Sequence, residues 1–483
     1  MAQTIVIFGA SGDLTSRKLI PALYELHRKG RLPPDTRVVG VARTVFSHEA
    51  WREKLAQSVG EFVGAAFDPT CWQSLAPSIF YQAGDVQRAD DVRSLAAELH
   101  RLDGGRVTRI YYLATAPQLY QPAIDNLGSL GMAEESAAPR RVVIEKPFGT
   151  DCASARRLNE VLHRAFAESQ VYRIDHYLGK ETVQNVLVLR FANTIFEPIW
   201  NRNYIDHVQI TAAEEGTIGH RAGYYDSTGV VRDMFQNHLL QLLTLTAMEA
   251  PAVFSADSIR DEKVKVLRAI PPMKAEQVAA DTLRGQYSTY TSEPGVAEGS
   301  QTATFAAVRF CVENWRWKGV PFYLRSGKAM SCRTTQIVIQ FREPPHMLFE
   351  SGPRTAYESN RLVLQIQPAE GIQLQFHTKV PDAGMRLRMT DLDFNFRRAF
   401  AGRIPDSYQR LLLDVMNGDA SLFARSDEVE LAWGIIDPIL AAWDSTGRPE
   451  LSAYEPGGWG PANSSDWMAA QDRQWFDVCP VLH

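Results

Sequence analysis

The sequence predicts an N-terminal doubly wound α/β domain, followed by a larger C-terminal α+β domain built on a mainly antiparallel sheet. Three observations predict this division of the 483 residues. Apolar strands alternate with helical patterns early in the chain, a glycine-rich turn follows the first strand, and later strands alternate apolar with polar residues. We expect the first domain to span residues 1–172 and the second to span residues 173–483.

Short apolar runs predict the strands of the first domain, at residues 4–8, 37–41, 79–82, 109–113 and 141–144. Between the third and fourth runs, apolar side chains recur at helical spacing and predict a helix over 90–102. Continuous apolar strands separated by helices indicate a parallel sheet that is covered on both faces.

The later chain has a different pattern. Helical segments are predicted at 181–193 and 228–248, and three strands follow, at 337–341, 362–367 and 372–377. In these strands apolar residues alternate with others, and a Pro-Ala-Glu-Gly turn joins the last two. This alternation predicts antiparallel strands with one wetter face.

The composition argues against several classes of function. With 51 basic and 56 acidic side chains, the net charge of −5 argues against a surface for nucleic acid or anionic membrane. No apolar stretch reaches the roughly 20 residues of a membrane span, and a strand pattern stands where a signal peptide would begin. Five cysteines, odd in number and widely spaced, predict reduced thiols in the cytoplasm, with neither a disulfide framework nor a zinc site.

Two glycines lie in the turn after the first strand, in the stretch Gly9-Ala10-Ser11-Gly12-Asp13-Leu14. A strand, a glycine turn and a helix N-terminus favour the pyrophosphate of a dinucleotide, although a plain turn with glycines for steric reasons is the alternative. The second strand leads into Arg43, where NAD-preferring folds place an acidic residue. An arginine favours the 2′-phosphate of NADP. A solvated surface arginine is the alternative, and NAD stays open as a weaker cofactor.

Two further segments carry polar groups beside apolar strands. Lys146 follows a buried strand and precedes a proline, so it is predicted to contact cofactor and substrate; a solvated turn lysine is the alternative. In the stretch 172–180, His176, Tyr177 and Lys180 could together grip a phosphate. The same loop could equally serve only as structural capping.

Polar side chains interrupt the helix predicted over 228–248, and one of them is His238. A single histidine on an apolar face is more often a satisfied core residue. Burying several polar groups is costly, however, so the cluster indicates a polar pocket in which His238 acts as a general base. On an α-helix Asp233 lies about 140° from His238, which makes Asp175 the better candidate to orient the imidazole.

Five stretches, 9–14, 145–149, 173–180, 232–238 and 319–322, together resemble the glucose-6-phosphate dehydrogenase family over essentially the whole chain. Asn314-Trp315-Arg316-Trp317 and Gly458-Trp459-Gly460-Pro461 are similar to its bacterial members. The resemblance implies oxidation of D-glucose 6-phosphate at C1, with hydride transfer to NADP, as the first step of the oxidative pentose phosphate pathway. It further implies a homodimer or homotetramer. The hydride transfer itself requires no metal, and the sequence contains no metal-ligand cluster.

The resemblance also implies roles for single residues. His238 is implied as the base and Asp175 as the carboxylate that orients it. The implied substrate contacts are Lys146, His176, Tyr177, Lys180, Glu214, Asp233, Lys328, Arg333 and Gln367. The implied cofactor contacts are Gly9, Ala10, Ser11, Gly12, Asp13, Leu14, Thr15, Ser16, Arg43, Asp85, Val86 and Lys146. From the residues alone, Lys328 and Arg333 could equally be ordinary surface cations.

Two other classes of protein share part of this pattern. A sugar dehydrogenase of the glucose–fructose oxidoreductase type shares the two-domain plan and a Glu-Lys-Pro turn, but the Asp175-His176-Tyr177 and Asn237-His238 motifs speak against it. A non-catalytic NADP-sensing regulator would be expected to lose the base or the phosphate grip, and the residues for both are present.

Overall fold

The computed structural model describes residues 2–346, 348–349, 358–400 and 404–480. It divides into two compact units. Unit 1 comprises Met1–Lys180, Val253–Arg260 and Pro405–Glu430. Unit 2 comprises Glu181–Ala252, Asp261–Ile404 and Leu431–His483. Two segments from the later chain thus belong to unit 1, and the division into functional domains at residues 172 and 173 stays a prediction.

The strands of unit 1 are β1 Gln3–Phe8, β2 Thr36–Ala42, β3 Ile79–Ala83, β4 Thr108–Leu113, β5 Arg140–Glu145 and β6 Val171–Ile174. They form one parallel sheet in the order β3-β2-β1-β4-β5-β6. This is the order of a doubly wound dinucleotide-binding fold, which reverses direction between β1 and β4. The predicted fold class is confirmed, and the five predicted strands lie within one residue of the observed bounds.

Helices cover this sheet. They are α1 Ile20–Arg28, α2 His48–Val63, α3 Pro69–Leu75, α4 Ala89–Asp103, α5 Tyr120–Ser129, α6 Cys152–Ala165 and, from the later chain, α13 Ser407–Asn417. A π-helical turn, Thr15–Leu19, leads into α1, and 3₁₀ turns lie at Gly64–Ala66, Ala76–Ser78, Pro117–Leu119 and Glu168–Gln170. Local signals set several ends. Acidic residues open α4 and a left-handed glycine, Gly104, ends it, as the helix dipole and backbone sterics favour.

The strands of unit 2 are β7 Ile205–Ala213, β8 Thr282–Tyr287, β9 Phe305–Cys311, β10 Pro321–Gly327, β11 Thr334–Phe341, β12 Arg361–Gln367, β13 Gly371–Lys379, β14 Leu387–Asn395 and β15 Leu451–Tyr454. They form a nine-stranded sheet in the order β14-β13-β12-β11-β7-β10-β9-β8-β15. Among these strands, β7 pairs with β10 and β8 with β15 in parallel and the other neighbours pair antiparallel, so the predicted mainly antiparallel sheet is confirmed.

The helices of unit 2 are α7 Glu181–Phe191, α8 Ala222–Val230, α9 Leu240–Ala247, α10 Ala256–Arg268, α11 Ala275–Asp281, α12 Phe396–Ala399, α14 Ser426–Thr446 and α15 Asn463–Ala469, with the first residues of α10 and α14 counted in unit 1. 3₁₀ turns lie at Glu197–Ile199, Gly219–Arg221 and Tyr290–Ser292. The segment Val231–Leu239, between α8 and α9, is π-helical. The segment predicted to be helical over 228–248 is helical, but it is not one regular α-helix. Gly229, with φ of +66°, bends the chain just before the π-helical segment.

The predicted hairpin of β12 and β13 is present, with Leu362 opposite Leu374 and Leu364 opposite Ile372. Its faces differ from the expectation, because apolar Ile372 and polar Gln373 in β13 are both half-buried. The next strand, β14, lies at the sheet edge and exposes Leu392.

The cysteines depart from the sequence-based expectation. Cys332 and Cys479 form a disulfide, so the prediction of reduced thiols is wrong for this pair. Cys71, Cys152 and Cys311 remain thiols. A separation of 147 residues leaves no spacing signal in the sequence, because tertiary folding alone brings the two thiols together. Among the described residues, no helix is both long and apolar enough to cross a membrane.

Candidate active site

The glycine turn of unit 1 is fixed by contacts that only glycine allows. Gly9 has φ of +84°, and a Cβ at this position would overlap the backbone carbonyl of Ala114, which follows β4. The amides of Gly9 and Ala10 donate to the carbonyl of Val41 at 2.9 and 3.2 Å, and the amide of Gly12 donates to Gly9 at 2.9 Å. The turn therefore comes as close to the ends of β2 and β4 as a backbone can, because no side chain intervenes.

The remaining predicted turn residues surround this backbone. Thr15 is buried and its hydroxyl donates to the carbonyl of Gly9 at 3.4 Å. The Ser16 hydroxyl donates to the carbonyls of Gly12 and Asp13 at 3.3 and 3.1 Å, which fixes the start of the π-helical turn. The Asp13 carboxylate forms an exposed ion pair with Arg17 at 2.6 Å, and Ser11 and Leu14 complete the turn.

The loops after β2 and β3 lie at the same sheet edge as the glycine turn, because parallel strands share their carboxyl ends. Arg43 follows β2; it is exposed, and within the described chain its side chain has no hydrogen bond or ion pair. The amide of Gly84, after β3, donates to Ala42 at 3.0 Å and joins the two loops. Asp85 and Val86 come next; Val86 is buried and its carbonyl accepts from Asn126 at 2.7 Å.

Thr115, which no sequence motif marks, follows β4 at the point where the strand order reverses. Its Oγ1 is buried and, among the described residues, has no hydrogen-bond partner. Its Cγ2 would lie 3.2 Å from a Cβ at residue 9, so it borders the glycine turn. An orphaned hydroxyl beside a close-approach glycine fits a bound polar ligand, because buried polar groups are normally satisfied. The residues here therefore fit a dinucleotide.

The end of β5 brings a lysine and a glutamate together. Lys146 is half-buried and directly follows Glu145. The carboxyl group of Glu145 accepts hydrogen bonds from the hydroxyls of Tyr112 at 2.5 Å and Tyr408 at 3.1 Å. Burial raises the pKa of Glu145 to about 7, whereas the two hydroxyls and Lys146 act to lower it and Asp175 acts to raise it. Neither tyrosine was selected from the sequence.

The predicted phosphate-gripping residues lie in the loop after β6. Asp175 is buried and accepts from the amide of Tyr177 at 2.9 Å, which closes the turn. The Lys180 Nζ lies 4.7 Å from the centroid of the Tyr177 ring, and the His176 ring lies 5.1 Å from the same ring. The structure thus brings His176, Tyr177 and Lys180 together. Their role in phosphate binding stays a prediction, as does the pairing of Asp175 with His238.

In unit 2, His238 and Asp233 lie on the π-helical segment Val231–Leu239. His238 is 1% exposed, and its amide donates to the Asn237 side chain at 2.6 Å. In a π-helix the backbone bonds join residues five apart, as the amide of Leu240 does with the carbonyl of Phe235. The argument that Asp233 lies about 140° from His238 assumed an α-helix, so it is wrong here, and residues 233 and 238 fall closer to one face.

In unit 2, a lysine lies between two carboxylates. Lys328 is 3% exposed; its Nζ forms one ion pair with Glu214 and a second with Asp233 at 3.6 Å. The interpretation of Lys328 as an ordinary surface cation is therefore wrong. Tyr225, missed in the sequence, has its ring 5.5 Å from the same Nζ, and its buried hydroxyl has no hydrogen-bond partner among the described residues.

Backbone bonds hold this cluster in place. The amide of Glu214 donates to Gly327 at 3.0 Å and the amide of Met330 donates to Glu214 at 2.9 Å, which ties the end of β7 to the end of β10. Arg333 is exposed and, within the described chain, makes no side-chain hydrogen bond or ion pair, so the structure does not join it to Lys328. The Gln367 amide donates to Thr335 at 3.1 Å, on the neighbouring strand β11.

The parallel sheet of unit 1, with its glycine turn at the strand-order reversal, defines the class of Rossmann-like dinucleotide-binding proteins. Two family models match the chain: "Glucose-6-phosphate dehydrogenase, NAD binding domain" over residues 6–185, and "Glucose-6-phosphate dehydrogenase, C-terminal domain" over residues 187–476. The chain therefore belongs to the glucose-6-phosphate dehydrogenase family.

Individual relatives agree with this assignment. A glucose-6-phosphate 1-dehydrogenase of Aggregatibacter actinomycetemcomitans is 45% identical over 98% of this chain and 96% of its own. Among solved structures, a glucose-6-phosphate dehydrogenase in complex with glucose 6-phosphate matches with a TM-score of 0.90, at 36% identity, over 99% of this chain and 98% of its own. The glucose-6-phosphate 1-dehydrogenase of Mycobacterium avium matches with a TM-score of 0.87, at 36% identity, over 99% of both chains.

Proposed function

We propose that this oxidoreductase oxidises D-glucose 6-phosphate at C1 to 6-phospho-D-glucono-1,5-lactone, the first step of the oxidative pentose phosphate pathway, and reduces NADP. The observation that carries the proposal is the cluster in unit 2, where Lys328 lies between the carboxylates of Glu214 and Asp233. Asp233 shares its helical segment with the buried His238. A cation, two anions and a histidine on the same helical segment as one of the anions suit a polyhydroxylated substrate that must lose a hydroxyl proton. Membership of the family over nearly the whole chain supports the same reaction.

The residues at the carboxyl edge of the parallel sheet would hold NADP. They are Gly9, Ala10, Ser11, Gly12, Asp13, Leu14, Thr15, Ser16, Arg43, Asp85, Val86 and Lys146. The exposed Arg43 guanidinium is suited to the 2′-phosphate, because it can donate charge-assisted hydrogen bonds to it. When bound, NADP accepts the hydride that leaves C1 of the sugar.

The remaining roles fall to side chains of this chain. His238 removes the proton of the C1 hydroxyl, with Asp175 proposed as the carboxylate that orients its ring. Glu214 and Asp233 accept hydrogen bonds from sugar hydroxyls, and Lys328 donates to the sugar. His176, Tyr177 and Lys180 bind the 6-phosphate through one cation and directed donors. Lys146, Arg333 and Gln367 are proposed as further substrate contacts.

The first experiment compares two sugars. NADPH formation is followed by its near-ultraviolet absorbance with glucose 6-phosphate and with unphosphorylated glucose. We expect turnover with the phosphorylated sugar and far less with glucose. If no NADPH forms with either sugar, the proposed reaction is contradicted and an NADP-sensing regulator is favoured.

The second experiment tests the base. His238→Asn is expected to lower kcat by roughly 10²–10⁴-fold, the usual contribution of a general base, while glucose 6-phosphate still binds. His100→Asn, which changes an exposed histidine on α4, is the matched control and should leave kcat unchanged. An unchanged kcat in His238→Asn would remove His238 from the mechanism.

The third experiment tests the phosphate grip. Lys180→Ala should raise the KM for glucose 6-phosphate much more than the KM for NADP. The reason is that the lost ammonium group is proposed to bind the 6-phosphate of the sugar and not the cofactor. Equal increases in both KM values would contradict the assignment of Lys180.

We also propose that the protein is a cytoplasmic homodimer or homotetramer. The exposed apolar side chains of Leu392 and Phe394 on the edge strand β14 support self-association, because such a strand offers unpaired backbone groups and apolar area together. Light scattering after size-exclusion chromatography measures the oligomeric state, and cell fractionation measures the location.

A further inference from the structure

Three tyrosine hydroxyl groups converge on Glu145, the last residue of β5. Tyr112 on β4 donates to Oε1 at 2.5 Å, and Tyr408 on α13 donates to the same oxygen at 3.1 Å. Tyr120, the first residue of α5, donates to the backbone carbonyl of Glu145 at 3.0 Å. Three separate elements therefore hold both the side chain and the main chain of this one residue.

Glu145 is also joined to two residues of the proposed site. Lys146 is its neighbour along the chain. On the other side, Glu145 is paired with Ile174 of β6, and Asp175 follows Ile174 directly. A displacement of residue 145 would thus move the starting point of the Lys146 side chain. It would also disturb the strand that ends at Asp175.

We propose that Glu145 is a positioning residue, whose carboxyl group anchors the end of β5 to Tyr112 and Tyr408 and so sets where the Lys146 ammonium group meets its ligands. This inference rests on the proposed function, in which Lys146 contacts NADP and the sugar phosphate. The role requires an oxygen acceptor. A glutamine side chain supplies one, whereas an alanine leaves both buried hydroxyls without an acceptor.

The charge of Glu145 adds a second effect on Lys146. The titratable groups that face Glu145 are Tyr112, Tyr120, Tyr408, Lys146 and Asp175. Burial raises its pKa to about 7, so its carboxyl group gains and loses a proton in the neutral range. Because burial raises the pKa of all three tyrosines, their hydroxyls stay protonated and continue to donate. The electric field at Lys146 therefore changes with pH while the hydrogen bonds persist.

The experiment compares Glu145→Ala, Glu145→Gln and Tyr408→Phe in the full chain. We measure kcat and both KM values across the neutral range, the affinity for NADP alone by calorimetry, and the melting temperature. Glu145→Ala is expected to lower kcat/KM for glucose 6-phosphate about tenfold or more and to weaken NADP binding. Glu145→Gln should recover both to within about threefold. It should also lose a step near neutral pH that the wild-type profile of kcat/KM shows.

Glu61→Gln is the matched control, because Glu61 is an exposed carboxylate on α2 and its removal changes the net charge equally. A folded Glu145→Ala variant with wild-type kinetics and NADP affinity would overturn the proposal. Equal impairment of Glu145→Ala and Glu145→Gln would also overturn it, because the oxygen acceptor would then be irrelevant.

Two further measurements keep the test decisive. If Glu145→Ala does not fold, the Tyr408→Phe variant decides, because it removes only one hydroxyl group. A fall in kcat/KM of about threefold in this variant would support the proposal. An unchanged kcat/KM would overturn it. If the wild-type protein does not oxidise glucose 6-phosphate, the proposed reaction fails on its own. The NADP affinities then decide about Glu145, with weakening in Glu145→Ala and recovery in Glu145→Gln as the supporting result.

Discussion

Replacing Glu145 with glutamine should change how the stability of this protein depends on pH. Burial raises the pKa of the Glu145 carboxyl from its ordinary value of 4.5 to about 7. The folded protein therefore retains a proton at pH values where the unfolded chain has lost it. Glutamine keeps an oxygen that can accept the hydroxyls of Tyr112 and Tyr408, but it carries no charge.

The sign and size follow from these two pKa values. Below pH 4.5 the carboxyl is protonated in both states, and its burial has no electrostatic cost. As the pH rises to about 7, the free energy of unfolding of the wild type falls, because ionisation becomes possible only in the unfolded chain. Each pH unit between the two values is equivalent to about 1.4 kcal/mol, so the total loss is about 3 kcal/mol.

The assay is urea unfolding of wild type and Glu145→Gln at about pH 5 and about pH 8. The difference in unfolding free energy between variant and wild type should shift by about 2.5 kcal/mol in favour of the variant at the higher pH, because part of the total loss has already occurred at about pH 5. Any fixed cost of the amide group cancels, because it is the same at both pH values. Glu61→Gln, on the surface of α2, should give a difference that does not depend on pH. A constant difference for Glu145→Gln, within about 0.5 kcal/mol, would refute the assignment of a buried, proton-retaining carboxyl.

Three further outcomes are expected. Gly9→Ala should destabilise the protein by about 1–3 kcal/mol and abolish NADP binding, because its Cβ would overlap a backbone carbonyl. Gly30→Ala shares the positive φ but has open space around it, so it should cost only about 1 kcal/mol and leave NADP binding unchanged in calorimetry. Arg43→Ala should weaken NADP binding by about 1.5–3 kcal/mol and spare NAD; equal losses would contradict a contact with the 2′-phosphate. Reduction of the Cys332–Cys479 disulfide should lower the unfolding free energy by about 2–4 kcal/mol, and Cys479→Ser should remove the response of the melting temperature to reductant.

The first sheet could be predicted because its signal is local. Strands such as β1 and β4 are buried on both faces and read as continuous apolar runs, and the helices between them keep their own period. The glycine turn could also be placed, since its position after β1 follows from the same pattern. The roles of Arg43 and Lys146 followed only from their place at strand ends, and they stay predictions.

The helix that carries His238 shows where local pattern fails. Apolar residues in Val231–Leu239 recur closely enough to suggest an α-helix, and the angular argument about Asp233 depended on that assumption. A π-helical segment changes which residues share a face, yet it leaves the composition of the segment unchanged. The Cys332–Cys479 disulfide and the addition of Pro405–Glu430 to unit 1 likewise depend on contacts between distant parts of the chain.

The tyrosine partners of Glu145 are an intermediate case. Strand topology predicts one of them, Tyr112, but not the other, Tyr408. Once β4 is known to lie beside β5, the register pairs Tyr112 with Val143. Side chains two residues apart share a face of a strand, so Tyr112 and Glu145 must point to the same side of the sheet. A buried tyrosine hydroxyl needs an acceptor, and the carboxyl group at the end of β5 is the nearest one along that face. Strand order and register together therefore identify Tyr112, whereas Tyr408 requires knowledge of which helix covers that face.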